Sequence, residues 1–255
     1  MLTLNELKKE AEKKRLSLEN AEKDYLLDAM LHYIYTEFGD ILVLKGGTCL
    51  YKLYNLNRFS EDLDFTLNKR RFDPEGLKLK AQRALSLIGI SGNCTIDSFR
   101  NEINIRFHLR GPLYSGSKDT MCYILLNISH RERIILPTKK ELLISGYREI
   151  PSFNLFVMDE TEMLAEKVRA TMTRPKPRDV YDLWFLLKKG IKPDVNLINQ
   201  KLRIYNLKYS KELFVEKMDE RRTSWKNDLG PLIMGDLPEF NIIRNYVFEA
   251  FSKIM

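Results

Sequence analysis

Asp62 and Asp64 stand two residues apart, one short segment after the turn Gly46-Gly47-Thr48 (residues 41–65, ILVLKGGTCLYKLYNLNRFSEDLDF). In a strand, side chains alternate, so the two acids would share one face while Leu63 and Phe65 take the other. Carboxylates held side by side repel each other unless a cation lies between them. Mg²⁺ suits that place because it takes carboxylate and phosphate oxygens. A glycine turn that opens a helix offers bare backbone N–H groups to the phosphates. Together these parts suit nucleotidyl transfer.

Each part alone is weak. Glycine pairs are common in strand-to-helix turns, and an Asp-x-Asp on an edge strand often only faces water. The turn is not a P-loop, since no lysine and hydroxyl follow at the required spacing. The joint pattern carries the reading: adjacent parallel strands would bring the turn beside both acids. Ser60 shares their parity and would face the same cleft if the strand starts that early.

A second cluster lies downstream: Glu166-Lys167, then Arg178-Asp179 and Asp182. Asp179 and Asp182, at i and i+3, share a helix face. Arg178 and Asp182 could also form no more than a surface i,i+4 pair. Eight basic against three acidic residues fall between Ala165 and Lys192, with two prolines in the middle, a stiff basic elbow able to track a phosphate backbone. A solvated face explains the same charges. His108 and His130 read as structural residues, and Trp225 as core.

Periodicity supplies the supporting elements. Ser17 to Phe38 reads as a helix stopped by Gly39, Ile41 to Leu44 as a buried strand, Thr48 to Leu56 as a helix, and Leu63 to Leu67 as a strand. Asp73-Pro74-Glu75 is a helix start, an N-cap followed by proline. Strands are expected around Cys94–Ser98, Glu102–Leu109, Met121–Ser129 and Phe153–Met158. After Asp159, which stands at capping-box spacing from Glu162, the pattern is helical: to Met172, from Arg178 to Leu187, from Asp194 to Leu207, from Ser210 to Asn227, and from Phe240 to Phe251. The expected architecture is α/β (α+β): a nucleotidyltransferase lobe with a mixed sheet, residues 1–158, and an all-helical lobe, residues 159–255.

The chain has 255 residues, enough for a core in each of two lobes, and a net charge of +7. That excess serves solubility or a polyanionic partner. Three cysteines, Cys49, Cys94 and Cys122, at wide spacing form no zinc pattern and fit a reducing compartment. The N-terminus lacks the apolar core of a signal peptide, and no apolar run reaches membrane-spanning length. A cytoplasmic protein with no membrane partner is expected.

Lys45-Gly46-Gly47-Thr48 with Arg58-Phe59-Ser60-Glu61-Asp62-Leu63-Asp64-Phe65 resembles the AbiEii/AbiGii abortive-infection toxin family. Glu166-Lys167-x-x-Ala170 and Arg178-Asp179-x-Tyr181-Asp182-Leu183 are similar to the same family, and the likeness runs from about Leu44 to Phe251. It implies a DNA polymerase beta-like fold and a nucleotidyltransferase acting as the toxin of a toxin–antitoxin system. By this resemblance Gly46, Gly47, Thr48 and Ser60 match the nucleotide-binding turn, and Asp62 and Asp64 the Mg²⁺-binding pair. Lys167, Asp179 and Asp182 match the motifs that complete the site from the helical lobe, Lys167 meeting nucleotide phosphates. The resemblance also implies an NTP substrate, the 3′ end of tRNA or another RNA as acceptor, and a cognate antitoxin. One departure stands out. Where the family's strand ends in a Leu-Asp-Ile-like string, this chain has Leu126-Asn127-Ile128, a neutral amide in place of a third acid, with Glu102 on a neighbouring strand as a substitute. An inactive nucleotide- or RNA-binding relative, or a phosphotransferase using the same metal pair, are the competing readings.

Overall fold

The computed structural model describes residues 1–68 and 72–253. The chain divides into two compact units. The first comprises Met1–Tyr54, Phe59–Ile134 and Thr138–Val157. The second comprises Met158–Met255 with two short segments from earlier in the chain, Asn55–Arg58 and Ile135–Pro137.

In the first unit, α1 (Leu4–Lys14) and α2 (Leu18–Phe38) precede β1 (Leu42–Lys45) and α3 (Gly46–Tyr54). Then come β2 (Leu63–Leu67), α4 (Pro74–Leu87), β3 (Ser91–Ser98), β4 (Glu102–Arg110), β5 (Cys122–Ser129), β6 (Lys139–Leu143) and β7 (Phe153–Val157). Capping side chains set the helix starts: the Ser17 hydroxyl accepts from the Asn20 amide, and the Asp73 carboxylate from that of Gly76, with Pro74 at the first helical position.

Among the described residues the strands form one seven-stranded mixed sheet in the order β3-β4-β5-β2-β1-β7-β6. β2 pairs parallel with β5, and β1 parallel with β7; the other neighbours are antiparallel. This corrects the expectation that β1 and β2 run parallel. They are antiparallel, with Lys45 opposite Asp64. The correction strengthens the geometry it replaces. In a parallel pair the start of β2 would lie beside the start of β1, far from the glycines; in an antiparallel pair it lies where β1 ends.

α3 is anchored by an ion cluster in the protein interior. Lys52 on α3 holds Asp24 and Asp28 of α2, each at 2.5 Å. Asp24 also receives Lys14 of α1 at 2.5 Å and the Tyr147 hydroxyl at 2.7 Å. Burial pushes the Asp24 carboxyl up, but Lys52 and Lys14 outweigh it and hold the group well below the ordinary aspartate range. Buried charges persist only when paired and hydrogen-bonded in this way. The helix that starts at Gly46 is therefore fixed at its far end.

The second unit is helical: α5 (Glu160–Thr173), α6 (Pro177–Lys188), α7 (Val195–Arg203), α8 (Lys211–Asp219), α9 (Trp225–Leu229) and α10 (Phe240–Ser252). The Asp159 carboxylate caps α5 through the Thr161 amide. The capping box expected with Glu162 does not form. Glu162 instead accepts from the Ile135 and Leu136 amides and from Lys201 at 2.6 Å, a tertiary demand that overrides the local one. One helix expected over 210–227 is two, α8 and α9. In the turn between them the Arg221 guanidinium points inward and donates to the carbonyls of Thr171 and Arg174 at 2.7 Å each. Trp225 is buried, and its Nε1 donates to the Pro238 carbonyl at 3.0 Å. No helix among the described residues is long and apolar enough to cross a membrane.

Candidate active site

The sequence Leu42-Val43-Leu44 is fully buried, so β1 is a rigid base for the glycine turn at its end. There Gly46 takes φ +72°, a left-handed conformation that glycine adopts without strain. It is also where β2 comes close to the turn. A Cβ at Gly46 would stand 2.9 Å from Asp64 Oδ2 and 3.3 Å from Asp64 Cβ. The first amides of α3 belong to Gly46, Gly47 and Thr48, and first-turn amides have no acceptor within the helix. They carry the positive end of the helix dipole, next to a carboxylate.

Asp64 lies on β2, half-buried, between buried Leu63 and Phe65. Asp62 sits in the bend just before β2, and its carbonyl accepts a hydrogen bond from the Thr48 hydroxyl. Strand alternation thus places Asp64, while Asp62 is placed by its tie to α3. Ser60 lies three residues before β2, so the shared-parity argument does not reach it; it is half-buried in the loop leading to Asp62.

The register extends a polar row across the sheet from Asp64. Asp64 is level with Asn127 of β5, Asn127 with Asn104 of β4, and Asn104 with Asp97 of β3. Level neighbours share a face. The Asn127 amide donates to Asn104 Oδ1 at 2.7 Å. Both amides reach Glu102, one to each carboxylate oxygen, at 3.4 Å. The strand beside Asp64 therefore presents a neutral amide where a third acid would stand, and Glu102 is the carboxylate that Asn127 and Asn104 orient. Spacing alone could not have paired Asn127 with Asp64; the parallel β2–β5 pairing does so. On the other side of β2, Lys45 is buried with its Nζ 3.7 Å from Glu132.

Lys167, Asp179 and Asp182 form a separate cluster inside the helical unit. The Lys167 ammonium lies 3.1 Å from Asp179 and 2.7 Å from Asp182. Arg58 Nε and Nη2 each meet Asp182 at 2.9 Å, a two-pronged pair with both side chains buried. Arg174 grips Asp179 at 2.7 and 2.8 Å. Asp182 is thus committed to Arg58 and Lys167 rather than to a surface pair with Arg178. Burial alone would raise both carboxyls; Lys167 then Arg174 outweigh it at Asp179, and Arg58 then Lys167 at Asp182, so both stay below the ordinary aspartate range. Sequence reasoning placed Asp179 and Asp182 on one face but missed Arg58 as their partner, 124 residues from Asp182.

Two consequences are measurable. Gly46→Ala forces a side chain into a left-handed conformation and against Asp64, so a loss of about 1–2 kcal/mol is expected in urea denaturation, together with weaker activity. Acid should destabilise the fold. Asp24, Asp179 and Asp182 have depressed values when folded, so as pH falls the unfolded chain takes up protons first. Their contribution is complete above the ordinary aspartate value of 3.8 and is lost as pH falls through the folded values. Thermal melts across the acid range should show a Tm that is flat near neutrality and drops below about pH 4.

Comparison with known proteins gives the family and the fold. The nucleotidyl transferase AbiEii toxin family of type IV toxin–antitoxin systems matches residues 28–253. Among solved structures, MenT4, a nucleotidyltransferase toxin from Mycobacterium tuberculosis, aligns with a TM-score of 0.66 at 21% identity, over 99% of this chain and 89% of that one. JHP933 from Helicobacter pylori aligns with a TM-score of 0.61 at 22% identity, over 93% and 95%. These likenesses speak for the fold. No curated protein matches the chain. The family match over most of the chain makes it a nucleotidyltransferase. The chain belongs to the AbiEii toxin family, whose type IV toxin–antitoxin assignment implies an antitoxin partner.

Proposed function

We propose that this chain transfers a nucleoside monophosphate from an NTP to the 3′-terminal hydroxyl of an RNA, foremost tRNA, and that blocking translation in this way is its toxicity. The observation that carries the reading is the approach of Asp64 to the bare backbone of Gly46, with the Asp62 carbonyl tied to the Thr48 hydroxyl two residues on. Backbone amides able to donate to phosphates and the Asp64 carboxylate meet at this turn within one unit, and we assign Asp62 to the same ion as Asp64.

The residues fit a divalent ion. Asp62 and Asp64 are hard oxygen donors, and among the described residues no group of three or more His, Cys, Asp or Glu side chains is assembled to hold a metal. Mg²⁺ is characteristically held by one or two carboxylates completed by substrate phosphates and water. Bound there, the ion would neutralise triphosphate charge and favour the ionised acceptor hydroxyl. The Gly46, Gly47 and Thr48 amides and the Ser60 hydroxyl take phosphate oxygens, and the acceptor hydroxyl attacks the α-phosphate as pyrophosphate leaves. From the helical unit we assign Lys167 to a phosphate as a point charge, with Asp179 and Asp182 as its positioning residues; the support is the fixing of its ammonium by both carboxylates. The protein's contribution is alignment and charge neutralisation rather than covalent chemistry. The setting is the cytoplasm, with a cognate antitoxin encoded alongside.

The test incubates the protein with each labelled NTP, Mg²⁺ and total cellular RNA, followed by a gel and assay of the released product. Labelled RNA with pyrophosphate is expected. A nucleoside diphosphate product would assign the site to phosphoryl transfer instead.

A further inference from the structure

Inside the helical unit a cavity of about 420 Å³ opens beside α6. Tyr181, Trp184 and Phe185 line it at i, i+3 and i+4, one face of the helix. Asn57, Asp236 and Lys188 bring polar groups to the same cavity. Tyr181 is buried, whereas Trp184 and Phe185 are half-exposed, and the Tyr181 and Trp184 rings lie 5.3 Å apart at 54°. The Lys188 ammonium lies 4.8 Å from the Trp184 ring centroid. Its neighbour Lys189 also lines the cavity but is shared with Glu160 at 3.4 Å.

We propose that this cavity seats an unpaired base of single-stranded RNA, stacked on Trp184, with Lys188 on the adjoining phosphate. The proposal rests on the RNA-acceptor reading above and gives it a binding site. Aromatic faces beside cations are the standard means of holding unpaired nucleotides, because every base has a π-face. A phosphate paired with Lys188 brings its nucleotide to the indole. The volume lies at the small end of ligand cavities and suits a splayed nucleotide rather than a duplex. Asp236 adds selectivity. A carboxylate accepts but does not donate, so it favours the exocyclic amines of cytosine, adenine and guanine over uracil, whose one base-edge N–H is flanked by two carbonyl oxygens that repel it. An acidic peptide is disfavoured by the same carboxylate, since it offers no base amine to offset the repulsion.

The probes are short fluorescein-labelled oligocytidine, oligouridine and an RNA hairpin without overhang, followed by fluorescence anisotropy. Oligocytidine should bind more tightly than either of the others. Trp184→Ala should weaken oligocytidine binding about tenfold or more, Trp184→Phe should retain most of it, and Lys188→Ala should flatten its salt dependence. Asp236→Ala should remove the preference for cytidine over uridine. Circular dichroism checks that each variant is folded. Unchanged oligocytidine binding in folded Trp184→Ala and Lys188→Ala overturns the proposal. So does equal binding of the hairpin, or displacement by an acidic peptide at lower concentration than by oligocytidine. The transfer assay separates the two readings. Oligonucleotide binding through Trp184 with no transfer to any RNA would end the acceptor reading and leave the pocket; transfer with Trp184-independent binding would end the pocket alone.

Discussion

Asp64→Ala should lower nucleotide transfer by about 10³-fold or more while leaving the fold intact. Removing one preorganised charge-stabilising group from a site of this kind costs about 10²–10³ in rate, and a lost metal-ligand carboxylate also weakens the ion's hold on the triphosphate. Asp64 is half-buried beside Gly46, so its deletion leaves no fully buried cavity. Stability should therefore change by less than about 1 kcal/mol. Asp62→Ala should act alike, and the double variant should be little worse than either single one, because residues that serve as one unit are not additive. Single-turnover rates for the three variants check this. Two independent, multiplying losses would mean that the acids do separate jobs.

The largest effect on stability is expected at Asp182, inside the helical unit. Asp182→Ala leaves Arg58, which is buried, without its two-pronged partner and takes one of two carboxylates from Lys167. Breaking a buried pair on one side costs about 3–5 kcal/mol. With a total stability of about 5–15 kcal/mol, that is a large share of the whole. The penalty comes from stranding a charge, so the double variant Arg58→Met/Asp182→Leu should recover part of it. Urea midpoints for wild type and these variants decide the matter. A loss below about 1 kcal/mol in Asp182→Ala would show the pair to be worth no more than a surface contact.

What the sequence made legible was local. Ser17 and Asp73 announced helix starts, alternation in Glu102–Leu109 announced a strand, and the glycine turn and acid pair suggested the candidate site. What escaped depended on partners far along the chain. The direction of β2 relative to β1 is decided by how residues 55–62 return, and no periodicity encodes it. β6, Lys139–Leu143, was missed because its charged residues blur the apolar alternation. Glu162 looked like half of a capping box, yet the Ile135 and Leu136 amides and Lys201 claim it. Arg58 sat within the motif that signalled the family, but its pairing with Asp182 spans more than a hundred residues. The departure at Asn127 could be read from the string Leu126-Asn127-Ile128; that it is level with Asp64 could not.

The decisive measurement is a crystal structure of the wild-type protein with Mg²⁺ and a non-hydrolysable NTP analogue. The expected result is density for an ion on Asp62 and Asp64, with triphosphate oxygens on the amides of Gly46, Gly47 and Thr48. An analogue bound elsewhere, or both aspartate side chains turned from the glycine backbone with no ion between them, would contradict the assignment of this site.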